Sequence, residues 1–176
     1  PVSVTAGRHE GKPVARLHSI YRPFAEKNPE RDSRFIGQDP VAMPHRYLAV
    51  CTTSTHDMNP VRAWWEEDRG VTQRFYNQVL GAWGEAPYFC EPWICEQVVA
   101  MHLKSPAMLT ILPLQDWMAM DERLRRANPD DERINVPSNR DHQWCYRMHI
   151  TIEQLMEERA FNDAVRRMVE DSGRLA

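Results

Sequence analysis

No part of this chain is a long apolar run. Nowhere in its 176 residues do the roughly 18 consecutive apolar positions of a membrane span occur, and the residues from Pro1 do not follow a secretory signal pattern. An excess of one charge is also missing. Lys and Arg number 22 against 25 Asp and Glu, a net charge of −3, so there is no basic stripe and nucleic acid is not an expected partner. There is no internal repeat and no low-complexity segment. Cysteine is sparse, at four residues. Two disulfides, a metal site or free thiols all fit that number. Cys90 and Cys95 lack zinc-knuckle spacing, and Cys51 sits in an apolar run where a free thiol behaves as a small hydrophobe. Reduced structural cysteines in a cytoplasmic protein are therefore expected. The first residue is Pro rather than Met, so a trimmed or partial product is expected as well.

What is present suffices for one domain with a sizeable core. The most informative stretch runs from Tyr47 to Pro60. Residues 47–51 form a short apolar run with β-branched and aromatic character and read as a buried strand. Residues 52–55 carry the backbone out of the core, which delivers His56 and Asp57 at the strand's C-terminal end. Asn59 is a candidate helix cap and Pro60 suits a first helical position. In an α/β barrel that end of a strand carries the catalytic groups. The same pattern also serves as a polar loop that caps a helix and does nothing more.

Residues 1–39 carry no assignment beyond two short strands, at 2–5 and 14–20, and a polar loop punctuated by Pro23, Pro29 and Pro40. Residues 60–68 predict a helical turn and 71–80 a fuller helix, with Glu66, Glu67 and Asp68 placed early, where acids complement the dipole. Gly81 and Gly84 stop it. Trp64, Trp65, Phe75, Tyr76 and Trp83 offer a platform for stacking sugars, while core packing is the simpler role for Trp65 and Phe75. Glu91-Pro92 opens the next helix, with Ile94, Val98 and Met101 at helical spacing, and Ser105-Pro106 breaks it. Residues 107–112 read as a second buried strand. Gln115 and Asp116 then stand at a strand end equivalent to that of His56 and Asp57, where they either touch substrate or cap a helix at 117–120. Residues 124–138 form a polar loop. Thr151 and Gln154 make a capping box for a helix with Ile152, Leu155 and Met156 on one face. Phe161, Val165, Met168 and Val169 continue the stripe, with Asn162 as an internal cap.

Three blocks resemble the 4-α-glucanotransferases (amylomaltase, or disproportionating enzyme). The first is Thr52-Thr53-Ser54-Thr55-His56-Asp57 followed by Arg62-Ala63-Trp64-Trp65-Glu66-Glu67-Asp68. The second is Leu112-Pro113-Leu114-Gln115-Asp116-Trp117. The third is Glu132-Arg133-Ile134-Asn135-Val136-Pro137 with Trp144-Cys145-Tyr146-Arg147-Met148-His149. They occur in family order from about Phe35 to Glu158, and the likeness is nearest to the longer bacterial and plant-cytosolic type. The family's Trp-Arg-x-Arg run is here Trp144-Cys145-Tyr146-Arg147, so its first Arg is missing. The resemblance implies an α/β fold, the C-terminal portion of a (β/α)8 TIM barrel over residues 40–176. About strands seven and eight would be present with their helices. A whole barrel takes about 250 residues, so an incomplete one is expected.

The resemblance also implies a chemistry. Retaining transfer between α-1,4-glucans needs a nucleophile and a general acid/base about 5 Å apart, and in the family both lie upstream of the matched blocks. What this chain would supply is a third acid, Asp57, stabilising the oxocarbenium-like transition state. His56 would donate to a neighbouring sugar hydroxyl, and Asn135, Gln115 and Asp116 would contact substrate. Asn135 either hydrogen-bonds sugar hydroxyls or holds its own loop in an Asx-turn. The expectation is an enzyme fragment, inactive alone, that needs no cofactor or metal and takes maltodextrin or another α-1,4-glucan. Its partner would be the missing N-terminal part of the enzyme. Two rival readings stand beside it. One is a non-catalytic carbohydrate-binding module with exposed Trp residues. The other is a metal-dependent hydrolase using His56, Asp57, His142 and His149, which lack the i, i+4 spacing of paired ligands.

Overall fold

The computed structural model describes the backbone of residues 2–9, 12–19 and 49–174 except Pro106 and Met108, and the side chains from Val50 onward. The polar loop expected within residues 21–39 and the opening of the strand expected at 47–51 lie outside the described residues. The two N-terminal strands are longer than the sequence suggests. They are β1 (Val2–His9) and β2 (Lys12–Ser19), an antiparallel hairpin with His9 opposite Lys12. Next come β3 (Ala49–Thr52) and β4 (Leu109–Thr110), and the sheet order is β2-β1-β3-β4. β3 and β4 run parallel, with Val50 opposite Leu109 and Cys51 opposite Thr110. Parallel neighbours require a crossover, and the helices between them provide it. On its other side β3 pairs with β1 antiparallel, where a barrel would place a parallel strand. The strand expected over 107–112 is shorter than predicted, although the Ile111 N–H still donates to the Cys51 carbonyl at 2.9 Å. Leu109 and Ile111 are 47% and 60% exposed.

The crossover consists of α1 (Val61–Glu67), α2 (Arg69–Gln78) and α3 (Pro92–Leu103). Here the expected caps shift by one residue. Pro60, not Asn59, occupies the cap position of α1 and makes no side-chain bond there; Asn59 Nδ2 donates to Glu67 Oε2 at 3.3 Å instead. Glu66 and Glu67 end α1 rather than open a helix. Only Asp68 fulfils the expectation for early acids, accepting from the Val71 N–H at 3.0 Å as the cap of α2. Trp65 and Phe75 pack as the sequence indicates. Both are buried, their rings meet edge-on at 6.4 Å, and Trp65 Nε1 donates to the Pro87 carbonyl at 3.0 Å. Their core also takes in Val61, Ala86, Ile94 and Val98. Truncating either ring would cost about 3–5 kcal/mol. Gly81 turns the chain after α2 with φ +67°, a backbone state disfavoured for residues with a Cβ. Glu91 and Pro92 open α3 as expected.

The second half holds α4 (Leu114–Met118), a single 3-10 turn (Pro129–Glu132), α5 (Ile152–Glu157) and α6 (Arg159–Asp171). α4 begins three residues before the expected 117–120 helix, so Asp116 lies inside it. Met118, Leu124 and Phe161 form its core contact with α6. The capping box closes as expected, with the Gln154 N–H on Thr151 Oγ1 at 3.1 Å and the Thr151 N–H on Gln154 Oε1 at 2.8 Å. Asn162 Nδ2 donates to the Leu155 carbonyl at 2.9 Å, the internal cap anticipated for that position. Ile152 and Met156 are exposed, which departs from a buried apolar face on α5. Arg174 donates to the carbonyls of Leu103, Ser105 and Ala107, tying the end of the described chain to the α3–β4 connection. Among the described residues no helix is long and apolar enough to cross a membrane.

Candidate active site

The site grows from the end of β3. Thr52, Thr53 and Ser54 are buried, and their hydroxyls are spent inside the protein. Thr52 Oγ1 donates to the Ser54 carbonyl at 2.7 Å, while Thr53 Oγ1 and Ser54 Oγ both donate to Asp116 Oδ2. Beyond them the chain turns sharply, with the Met58 N–H on the Thr55 carbonyl at 3.0 Å. That turn lifts His56 and Asp57 out of the core, and their side chains are about half exposed, at 51% and 49%. His56 Nε2 lies 3.4 Å from Asp57 Oδ2.

A second segment, 78 positions away, meets this pair. Asn135 Nδ2 donates to Asp57 Oδ1 at 2.6 Å, and the Asn135 N–H donates to the His56 carbonyl at 3.0 Å. Arg133 Nε donates to the Asn135 carbonyl at 2.9 Å, and His142 Nε2 pairs with the Ile134 carbonyl at 3.0 Å. Further along, the Trp144 ring stands 4.7 Å from the His56 ring, tilted by 44°, and it is 59% exposed. Arg126 holds the following residues, donating to the Arg147 carbonyl at 2.6 Å with its guanidinium over the Tyr146 ring. Asp57, His56, Asn135 and Trp144 thus form one solvent-facing group. A recess of about 230 Å³ beside it is lined by Thr53, Met58, Asn59, Val61, Trp64, Glu67 and Arg133.

Gln115 and Asp116 stand apart from this group in the interior, where Asp116 takes the capping role that the sequence left open beside substrate contact. Asp116 is 0% exposed. Besides Thr53 and Ser54, its Oδ1 accepts the Val61 N–H at 2.9 Å, the first helical residue of α1. It caps a helix from a distance, with both carboxylate oxygens hydrogen-bonded inside the protein. Burial pushes its pKa up, and the bonds from Thr53, Val61 and Ser54 offset part of that rise. Gln115 is buried too and reaches the Glu132 carbonyl at 3.4 Å.

Two features escaped the sequence reading. The first is the buried pair Arg62 and Glu132, at 3.2 Å and with both side chains almost inaccessible. Glu132 Oε1 also accepts the Arg126 N–H at 3.0 Å, and Arg62 Nη1 donates to the Arg126 carbonyl at 2.8 Å. Burial, the largest influence, raises the Glu132 pKa. This pair anchors the polar loop to α1 and so sets where Asn135 arrives. The second is Trp144 against His56. Trp144 opens the Trp144-Cys145-Tyr146-Arg147 run of the third motif block, but nothing in that run points to His56, 88 positions earlier.

The half-exposed carboxylate and imidazole of Asp57 and His56 lie beyond the C-terminal end of β3, one of two parallel strands, the strand end at which α/β barrels carry their catalytic groups. The chain is similar to the solved amylomaltase of Streptococcus agalactiae, captured in complex with acarbose, with a TM-score of 0.52 at 18% identity, covering 93% of this chain and 37% of that one. The sequence profile of the 4-alpha-glucanotransferases matches residues 27–152, and the chain belongs to that family. The match begins upstream of Phe35, further toward the N-terminus than the three motif blocks. Among curated relatives, 4-alpha-glucanotransferase DPE2 of Oryza sativa subsp. japonica is 37% identical over 130 residues, 74% of this chain and 14% of the relative. The 4-alpha-glucanotransferase of Chlamydia caviae is 29% identical over 145 residues, 80% of this chain and 25% of the relative. The chain therefore spans a quarter or less of the length of these two proteins.

Proposed function

We propose that this chain is the C-terminal part of a 4-α-glucanotransferase catalytic barrel, with β3 and β4 as its seventh and eighth strands. The parent enzyme transfers α-1,4-glucan segments between maltodextrins or to glucose by a retaining double displacement. Asp57 is its transition-state stabiliser. As the bond to the leaving sugar breaks, positive charge develops at the anomeric centre, and a fixed carboxylate beside it favours the transition state over the ground state. His56 donates to a hydroxyl of the same sugar, and Asn135 orients Asp57 while its amide oxygen remains an acceptor for sugar hydroxyls. The nucleophile and general acid/base, about 5 Å apart, lie on strands that precede this part of the barrel. The buried free thiols Cys51, Cys90 and Cys95 suit a cytoplasmic enzyme.

One observation carries the reading: Asp57 stands half exposed at the end of a buried parallel strand, with His56 and Asn135 on its two oxygens. The exposed Leu109 on terminal strand β4 and Ile111 just after it support incompleteness, since a closing barrel would continue the sheet beyond them. In the full-length parent, Asp57→Asn is expected to lower transfer from maltotriose by about 10²–10³-fold or more while the circular dichroism spectrum stays unchanged. Near-normal turnover would remove Asp57 from the mechanism. The 176-residue chain alone, incubated with maltotriose, should release no glucose and build no longer dextrins; disproportionation by it would overturn the assignment of nucleophile and acid to another part of the enzyme.

A further inference from the structure

Cys90 and Cys95 stand with their Sγ atoms 3.4 Å apart, and each residue is about 1% exposed. The start of α3 imposes this meeting. Glu91 is the helix cap and Pro92 the first helical residue, so Cys90 precedes the cap and Cys95 is the fourth residue of the helix. Side chains at those two positions face one another across a helix start. The backbones on both sides are held. The Cys95 N–H donates to the Glu91 carbonyl at 3.3 Å, the Cys90 N–H to Glu66 Oε1 at 3.4 Å, and Arg125 Nη1 to the Cys90 carbonyl at 2.8 Å. An aliphatic pair would serve as well for packing alone. Two facing sulfurs have a chemistry that aliphatic groups lack. A disulfide sets its sulfurs about 2.05 Å apart, so the two side chains need to close by only roughly 1.3 Å between them. Among the described residues no group of three or more His, Cys, Asp or Glu side chains is placed to hold a metal, and the proposed transfer chemistry uses neither thiol.

We propose that Cys90 and Cys95 are a modification site, a dithiol that peroxides close to an intramolecular disulfide clasping the segment before α3 to the helix itself. One sulfur, as thiolate, attacks a peroxide oxygen; the O–O bond breaks, water departs after protonation, and a sulfenic acid remains. The other sulfur attacks that sulfur, the S–O bond breaks, and a second water leaves. Two thiols and one hydrogen peroxide give one disulfide and two waters. Burial, reinforced by the neighbouring Cys95, holds the Cys90 thiol well above its ordinary pKa, so thiolate forms sparingly there. The pair reacts through local opening of residues 85–91, which contain no regular secondary structure, and more slowly than the exposed Cys145.

The test treats the full 176-residue chain and its Cys145→Ser variant with hydrogen peroxide under native conditions. Remaining thiols are then alkylated after unfolding without reductant, and tryptic peptides are weighed. No Lys or Arg lies between Arg74 and Lys104, so both cysteines fall in one peptide. The expected product is that peptide lighter by two hydrogens, unalkylated, and restored to a doubly alkylated form by dithiothreitol. Cys95→Ser should abolish the loss. The proposal is overturned if both thiols remain alkylatable while Cys145 oxidises, if fragmentation of the peptide, which also carries Met101, places added oxygen on Cys90 or Cys95 with no loss of hydrogen, or if the loss persists in Cys95→Ser.

Discussion

Asn135 Nδ2 donates to Asp57 Oδ1 at 2.6 Å, joining residues 78 positions apart. A hydrogen bond to a charged group contributes about 1.5–3 kcal/mol. If Asp57 must point at a developing cation, that bond fixes its rotamer at the moment it matters. Asn135→Ala in the full-length enzyme should therefore reduce kcat/KM for maltotriose by about 10- to 100-fold. The melting temperature should hardly move, because the site is exposed. Unaltered kinetics would mean that Asp57 is oriented without Asn135.

Asp116 predicts the opposite split. Its carboxylate holds Thr53, Ser54 and the first N–H of α1, so Asp116→Ala leaves three buried donors unpaired. The expected loss is about 3 kcal/mol of folding stability or more, read from urea denaturation at unchanged m-value. Asp116→Asn should cost less, because its amide oxygen can still accept the Val61 N–H.

Arg62 and Glu132 give a third test. Breaking a buried pair from one side strands the other charge, at about 3–5 kcal/mol. Arg62→Met should destabilise by that order, and in the full-length enzyme it should also loosen the loop that delivers Asn135. Proteolysis within residues 124–138 would then accelerate. An intact loop and full stability in the variant would show that the pair is not what anchors it.

His102 supplies a pH dependence. It is buried on α3, its Nδ1 lies 2.6 Å from the Val98 carbonyl, and its Nε2 has no partner among the described residues. Burial lowers its pKa from 6.5 to about 3. The folded state thus resists a proton that the unfolded state accepts, and stability falls as pH drops from 6.5 toward about 3. The slope approaches about 1.4 kcal/mol per pH unit at its steepest. Asp116 and Glu132, raised by burial, act in the reverse sense, because the folded state protonates them first. The clean measurement is the difference between the native chain and His102→Gln across pH 7 to 4 by denaturant unfolding. A constant difference would refute the contribution of His102.

Much of this was legible along the chain. The strand–turn–helix run placed His56 and Asp57 correctly because apolar alternation, hydroxyl residues and Pro60 act locally. Glu91-Pro92 and the Thr151–Gln154 box marked helix starts for the same reason. The errors came where a distant group took over a local role. Asn59 has the right chemistry for a cap, but Asp116 reaches across from another helix and satisfies Val61 first. Gln115 and Asp116 carry the polarity of substrate contacts, and only burial assigns them to the frame.

What the sequence determined by itself was the family, the order of the elements and the carboxylate presented at a strand end, since motifs and periodicity are properties of neighbours along the chain. Tertiary structure decided which polar residues remain open to solvent and which are consumed inside. It brought Asn135 to Asp57, Trp144 to His56 and Glu132 to Arg62, because contacts between residues tens of positions apart depend on how helices and loops pack. No local pattern encodes that packing.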